Sequence, residues 1–117
     1  MDDEESIRQL LSEELRSLGY SVVTAKNGEQ VLDHINGEGT TKHYIAMMFD
    51  LTVKGGMGGE ELIKAVRKMD NEIPVFVVSG YCKNPVLTDP GKYGFTDVLK
   101  KPFTTKHLKE LLSRHNL

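Results

Sequence analysis

Two apolar runs constrain this chain more than any other feature. Tyr44 to Leu51 is apolar except for Asp50 near its end, and Ile73-Pro-Val-Phe-Val-Val78 leads directly into Ser79-Gly80. Runs this short, without polar alternation, are the pattern of parallel strands buried on both faces, with a polar residue where each strand reaches the rim of the sheet. Between them, Glu60 to Met69 predicts a helix with Leu62, Ile63, Val66 and Met69 on its inner side. Strand, helix, strand in that order is a crossover unit, and its repetition along a chain builds a parallel sheet covered on both faces.

The rest of the sequence continues the alternation. Ile7, Leu10, Leu11, Leu15 and Leu18 predict a first helix over Ser6–Leu18, which Gly19 stops. Ser21 to Ala25 is short and β-branched and predicts a strand, followed by a turn at Asn27-Gly28 and a second helix carrying Val31, Leu32 and Ile35. Gly37 to Lys42 predicts a polar loop, and Lys54 to Gly59 a flexible one. A fourth helix over Asn84–Tyr93 should be short or distorted, because Pro90 and Gly91 interrupt it. Asp97 to Leu99 predicts a last brief strand and Lys101-Pro102 a turn. Thr104 caps a final helix whose Leu108, Leu111 and Leu112 face inward.

At 117 residues the chain has room for one core, so a single domain over 1–117 is expected. Its net charge of -2 gives no basic field to predict binding to nucleic acid or an anionic membrane. Protein partners and small ions are expected instead. Cys82 is the single cysteine, so no internal disulfide can form. No apolar run is long enough for a spanning helix and no signal-peptide pattern opens the sequence, so the cytoplasm is the expected location.

In sheets of this kind, ligands bind beyond the carboxyl ends of the strands. Four polar features fall at that rim: Asp2-Asp3 before the first helix, Asp50, Ser79 and Lys101. Any one alone has a bland explanation, since Asp50 could serve a turn and Asp2 to Glu5 a helix N-terminus. All four in order, each at the right end of its element, point to a site. Carboxylates converging there repel, at a cost on the order of 4 kcal/mol for two charges about 4 Å apart at an effective dielectric near 20. Mg²⁺ relieves that repulsion and keeps coordination positions open for phosphate oxygens. Asp50 is then a nucleophile that needs no general base, Lys101 neutralises charge, and Ser79 donates a hydroxyl to a phosphoryl oxygen.

With these residues in place, the sequence resembles response-regulator receiver domains over nearly its whole length. The resemblance rests on Asp2-Asp3, the strand-end Asp50, Ser79 and Lys101-Pro102-Phe103. The stretches Asp50-Leu-Thr-Val-Lys-Gly-Gly-Met-Gly-Gly59 and Ser79-Gly-Tyr-Cys-Lys-Asn-Pro-Val86 look like the receivers attached to hybrid sensor histidine kinases. It implies a flavodoxin-like doubly wound sheet in the order 2-1-3-4-5, and a phosphoryl group accepted on Asp50 from a histidine kinase or phosphotransfer domain. It also implies Mg²⁺ held by Asp3, Asp50 and the Thr52 carbonyl, with Asp2 acting through water. The domain would assist its own phosphorylation without being a turnover enzyme. A downstream protein would read the face made by the fourth helix, last strand and fifth helix.

Three features depart from the family pattern. Val98 stands where the switch aromatic sits, three residues before the lysine. Pro90-Gly91 interrupts the helix most used for output. No apolar strand precedes the acidic pair, and in the order 2-1-3-4-5 that first strand is central. Its buried side chains would each contribute roughly 1.5 to 3 kcal/mol, together comparable to a domain's net stability of roughly 5 to 15 kcal/mol. The expectation is therefore a first strand truncated here, with the chain starting inside a longer receiver or the sheet completed by exchange between chains.

Cys82 reads as a small loop side chain, and His34, His43, His107 and His115 lack metal-ligand spacing. Lys100, Lys106 and Lys109 make the end of the chain basic, suited to solvation or an acidic partner. Thr52 and Tyr81 align with positions that tune phosphoryl lifetime in the family. Two alternatives compete: a receiver-shaped binding module that takes no phosphate, and an aspartyl-phosphate phosphohydrolase. The second lacks an acid two residues after the nucleophile, where Thr52 stands.

Overall fold

The computed structural model describes residues 1–80 and 83–117. The elements in chain order are α1 (Glu5–Ser17), α2 (Gly28–Glu38), β1 (Met47–Asp50), α3 (Gly59–Met69), β2 (Val75–Ser79), α4 (Pro85–Thr88), a 3-10 turn (Pro90–Tyr93), β3 (Asp97–Lys100) and α5 (Thr105–Arg114). The strands form a parallel sheet in the order β1-β2-β3. None of the helices in the described residues is long and apolar enough to cross a membrane.

β2 is central and every residue of it is buried, as its unbroken apolar sequence requires. One core cluster joins Phe49, Leu51, Val75 and Val77 to Leu62, Ile63 and Val66 of α3. The other joins Phe76, Val78 and Leu99 to Leu11 of α1 and Leu108, Leu111 and Leu112 of α5. Alternate β2 side chains thus supply both faces.

Helix ends follow the local chemistry. Asn27 caps α2 by accepting from the Gln30 N–H at 2.9 Å, and Gly39 ends it at φ 75°. Thr104 caps α5 in a reciprocal box with His107. The predicted break holds: α4 is four residues long, and Pro90 opens a separate 3-10 turn.

Several expectations are corrected. Ser21–Ala25 is not a strand. Its β-branched residues favour extended backbone, but among the described residues only Asp2 hydrogen-bonds to it from the sheet side, its N–H reaching the Ala25 carbonyl at 3.1 Å. With Ser21–Ala25 unpaired and the first strand of the order already expected to be truncated, the described residues hold three paired strands. β1 is shorter than the apolar run suggested, with Ile45 lying 59% exposed outside it. Met69, expected to face inward, is exposed, as is Leu10 of α1.

Candidate functional site

The loop following β1 is pressed against the strand end. A Cβ on Gly58 would lie 2.7 Å from the Leu51 carbonyl oxygen, and one on Gly59 2.6 Å from that of Asp50. Any larger residue would push α3 away from the rim. Glu29 of α2 fixes the same loop by accepting the Met57 N–H at 2.6 and 3.0 Å. Asp50 is thereby held, buried, at the mouth between β1 and α3.

Two main-chain hydrogen bonds bring the acidic pair to it. The Met1 amino group donates to the Met48 carbonyl at 2.7 Å, and the Asp50 N–H donates to the Met1 carbonyl at 2.8 Å. Asp2 is 1% exposed; its Oδ1 accepts the Glu4 N–H, and its backbone carbonyl accepts from the Arg8 guanidinium. Asp3 is half-buried, and its Oδ2 accepts the Lys54 N–H at 3.2 Å. Carboxylate oxygens of Asp2, Asp3 and Asp50 all lie within 4.8 Å of one another.

Lys101 closes the group. Its Nζ donates to Asp2 Oδ2 at 2.9 Å and to Asp50 Oδ1 at 3.4 Å. The lysine is aimed by its own backbone, whose N–H donates to the Ser79 carbonyl at 2.7 Å, and the Lys101–Pro102 peptide bond is cis. Ser79 itself is buried at the end of β2, one residue beyond the partner of Asp50 in the ladder. Thr52 is exposed, two residues past Asp50. Tyr81 and Cys82 lie outside the described residues.

The electrostatics follow from this crowding. Burial, then the neighbouring Asp2 charge, pushes the Asp50 carboxyl up to about 6 despite Lys101. Burial works against the Lys101 ammonium, yet the hydrogen bond to Asp2 and the charges of Asp50 and Asp2 outweigh it and hold it above the usual lysine range. One ammonium thus serves two carboxylates while a third stands close by, an excess of negative charge that a hard, oxygen-seeking cation fits.

Residue-level reasoning identified Asp2, Asp3, Asp50 and Lys101, which the fold brings together, and Ser79, which it sets on the adjoining strand. It missed Met1, Glu29 and Lys54. Met1 and Lys54 act through main-chain atoms, which carry no signature in residue type. Glu29 sits in the first turn of α2, where an acidic residue has an ordinary role in favouring the helix N-terminus.

The family described as "Response regulator receiver domain" matches residues 1–113. The chain belongs to this family. A putative NtrX-like response regulator of Rickettsia typhi is 31% identical over 115 residues, which are 97% of this chain and 23% of that protein. Sporulation initiation phosphotransferase F of Bacillus subtilis is 26% identical, over 98% of this chain and 89% of its own length. Among solved structures, the receiver domain of NtrX from Brucella abortus has a TM-score of 0.85 at 26% identity, covering 97% of this chain and 92% of that one. The Vibrio cholerae chemotaxis protein CheY4 has a TM-score of 0.81 at 31% identity, with the same coverage. The chain spans about a quarter of the NtrX-like relatives it matches. Its fold is the flavodoxin-like fold of receivers, and it is a receiver domain of two-component systems.

Proposed function

We propose that this receiver accepts a phosphoryl group on Asp50 from a histidine kinase or phosphotransfer domain, with Mg²⁺ as cofactor, and alters a protein-binding surface in response. The observation that carries this reading is the Lys101 ammonium bridging Asp2 and Asp50 beside a third carboxylate, at the rim of the sheet. Although raised to about 6, the Asp50 carboxyl is ionised at neutral pH, so the nucleophile is ready without a base.

An Asp50 carboxylate oxygen attacks the phosphorus of a phosphohistidine in line with the departing imidazole. A new P–O bond forms as the P–N bond breaks, and the imidazole leaves with the electron pair. Asp3 and Asp50, the Thr52 carbonyl, and Asp2 through water would hold Mg²⁺, which supplies neutralisation of the crowded negative charge. Lys101 shifts its contact from the Asp50 carboxylate to the phosphoryl oxygens, and the Ser79 hydroxyl donates to one of them. Phosphorylated Asp50 carries about two negative charges, which draw the Ser79 end of β2 toward it. β3 pairs with that end of β2, Lys100 opposite Ser79, and the surface of α4, β3 and α5 would carry the change to a downstream protein.

Incubation with Mg²⁺ and acetyl phosphate, read by intact mass, tests this. Wild type should gain one phosphoryl group and Asp50→Asn none. Well-folded wild type that stays unlabelled, or label that survives in Asp50→Asn, would refute the assignment; multiple turnover of a generic phosphate ester would favour a phosphohydrolase.

A further inference from the structure

The loop from β1 to α3 is fastened at both of its ends. Residues 55, 56, 58 and 59 are glycines, and Gly55 holds φ 71°, so an untethered loop of this sequence would sample many conformations. At the near end the Lys54 N–H donates to Asp3 Oδ2 at 3.2 Å. At the far end the first turn of α2 takes both main-chain groups of Met57. The Met57 carbonyl accepts the Gly28 N–H at 2.7 Å, and the Met57 N–H donates to the Glu29 carboxylate at 2.6 and 3.0 Å. The Met57 side chain fills the space over Gly28, where a Cβ would stand 2.7 Å from it.

Gly58 transmits this pinning to the strand end. It packs so closely that a Cβ on it would lie 2.7 Å from the Leu51 carbonyl oxygen, 3.1 Å from the Val53 nitrogen and 3.2 Å from the Thr52 Cα. The peptide unit between Thr52 and Val53, which carries the Thr52 carbonyl, is therefore backed by a segment that α2 holds. That turn of α2 is itself fixed, since Asn27 accepts the Gln30 N–H at 2.9 Å and the Gln30 side chain accepts the Lys26 N–H at 2.8 Å. Glu29 is exposed and contributes nothing to the core, yet its bond to Met57 is charge-assisted and short.

We infer that Glu29 is a positioning residue for Mg²⁺ binding: by clasping Met57 it holds the Thr52 carbonyl and, through Lys54, the Asp3 carboxylate in place to receive the cation. This rests on the reading of Asp3, Asp50 and Thr52 as ligands, and adds to it an exposed residue of a helix that touches none of them. Mg²⁺ demands near-ideal octahedral geometry, so a ligand carried on a glycine-rich loop serves it well only when the loop is ordered beforehand. Groups that orient metal ligands from behind typically account for about tenfold or more in affinity. Linkage makes the effect reciprocal, so that Mg²⁺ in turn tightens the contact between Glu29 and Met57.

Calorimetric titration of the 117-residue chain with MgCl₂ at fixed ionic strength provides the test, with substitutions at position 29 that separate reach from charge. Glu29→Ala should raise the Mg²⁺ dissociation constant by about tenfold. Glu29→Gln keeps an acceptor at the same reach and should stay within about threefold of wild type. Glu29→Asp keeps the charge on a shorter arm and should lose nearly as much as alanine. Phosphorylation of Glu29→Ala by acetyl phosphate should need correspondingly more Mg²⁺, while its rate at saturating Mg²⁺ stays within about twofold of wild type. In wild type, Mg²⁺ should slow hydrogen exchange at the Met57 amide, a readout of the clasp that needs no variant to fold. Equal affinity in wild type and Glu29→Ala overturns the inference, as does a lowered thermal midpoint with Mg²⁺ affinity unchanged. So does a loss shared by Gln and Ala but absent in Asp, which marks a plain charge effect. Wild type that shows no saturable Mg²⁺ binding overturns the metal reading itself, and this inference with it.

Discussion

Asp50 and Lys101, in contact at the rim of the sheet, act on stability in opposite directions. The Asp50 carboxyl is raised to about 6 by burial and by Asp2, so between its ordinary range near 4 and pH 6 the folded state binds the extra proton. Ionising it in the folded chain therefore costs stability as pH rises through that window. Asp50→Asn should raise stability at pH 7.5 by about 1 to 3 kcal/mol, toward the lower value because the mouth meets water. The gain should vanish below pH 4, where wild-type Asp50 is neutral as well; denaturant titrations at both pH values check this. Lys101→Met works the other way, leaving Asp2 and Asp50 facing each other without a cation. It should cost about 2 to 4 kcal/mol, and adding Mg²⁺ should recover part of that loss in thermal melts.

Among the elements, α3 is the one whose placement the site depends on. Helix propensity alone favours Gly59→Ala by up to about 1 kcal/mol. The new Cβ would stand 2.6 Å from the Asp50 carbonyl oxygen, a backbone atom that cannot turn aside, and overpacking of this kind costs roughly 1 to 3 kcal/mol. Steric conflict should win, so Gly59→Ala is expected to be net destabilising by about 1 kcal/mol or more and to lower the rate of Asp50 phosphorylation. Gly37→Ala in α2 is the matched control, since nothing lies within 4 Å of its added Cβ. It should stabilise the chain by up to about 1 kcal/mol; paired denaturation curves distinguish the two. In sequence both positions are simply glycines, one beside a loop and one near a helix end.

For the molecule as a whole, two buried groups at the same rim give stability opposite slopes in pH. Burial lowers the Met1 amino group to about 6, against Asp2 and Asp50, which raise it; the unfolded chain binds more protons there between pH 6 and 8. Stability attributable to Met1 therefore rises with pH across that window, while that attributable to Asp50 falls between pH 4 and 6. Thermal midpoints measured without divalent cations should pass through a shallow minimum near pH 6. A monotonic curve from pH 4 to 8 would contradict the shared burial of these two groups.

The apolar runs ending at Asp50 and Ser79, the capping residues Asn27 and Thr104, and the break at Pro90-Gly91 determined the succession of elements, because each acts through local backbone preference or burial pattern. Asp2, Asp3, Asp50 and Lys101 were legible as a site because their residue types fall at successive element ends in a fixed order. The tertiary structure alone decided that Ser21–Ala25, β-branched though it is, lies outside the sheet, since a strand exists only by pairing with another. It likewise decided that Met1, through two main-chain hydrogen bonds, fastens the acidic pair to β1: every residue carries those atoms, and only their position in space makes them matter.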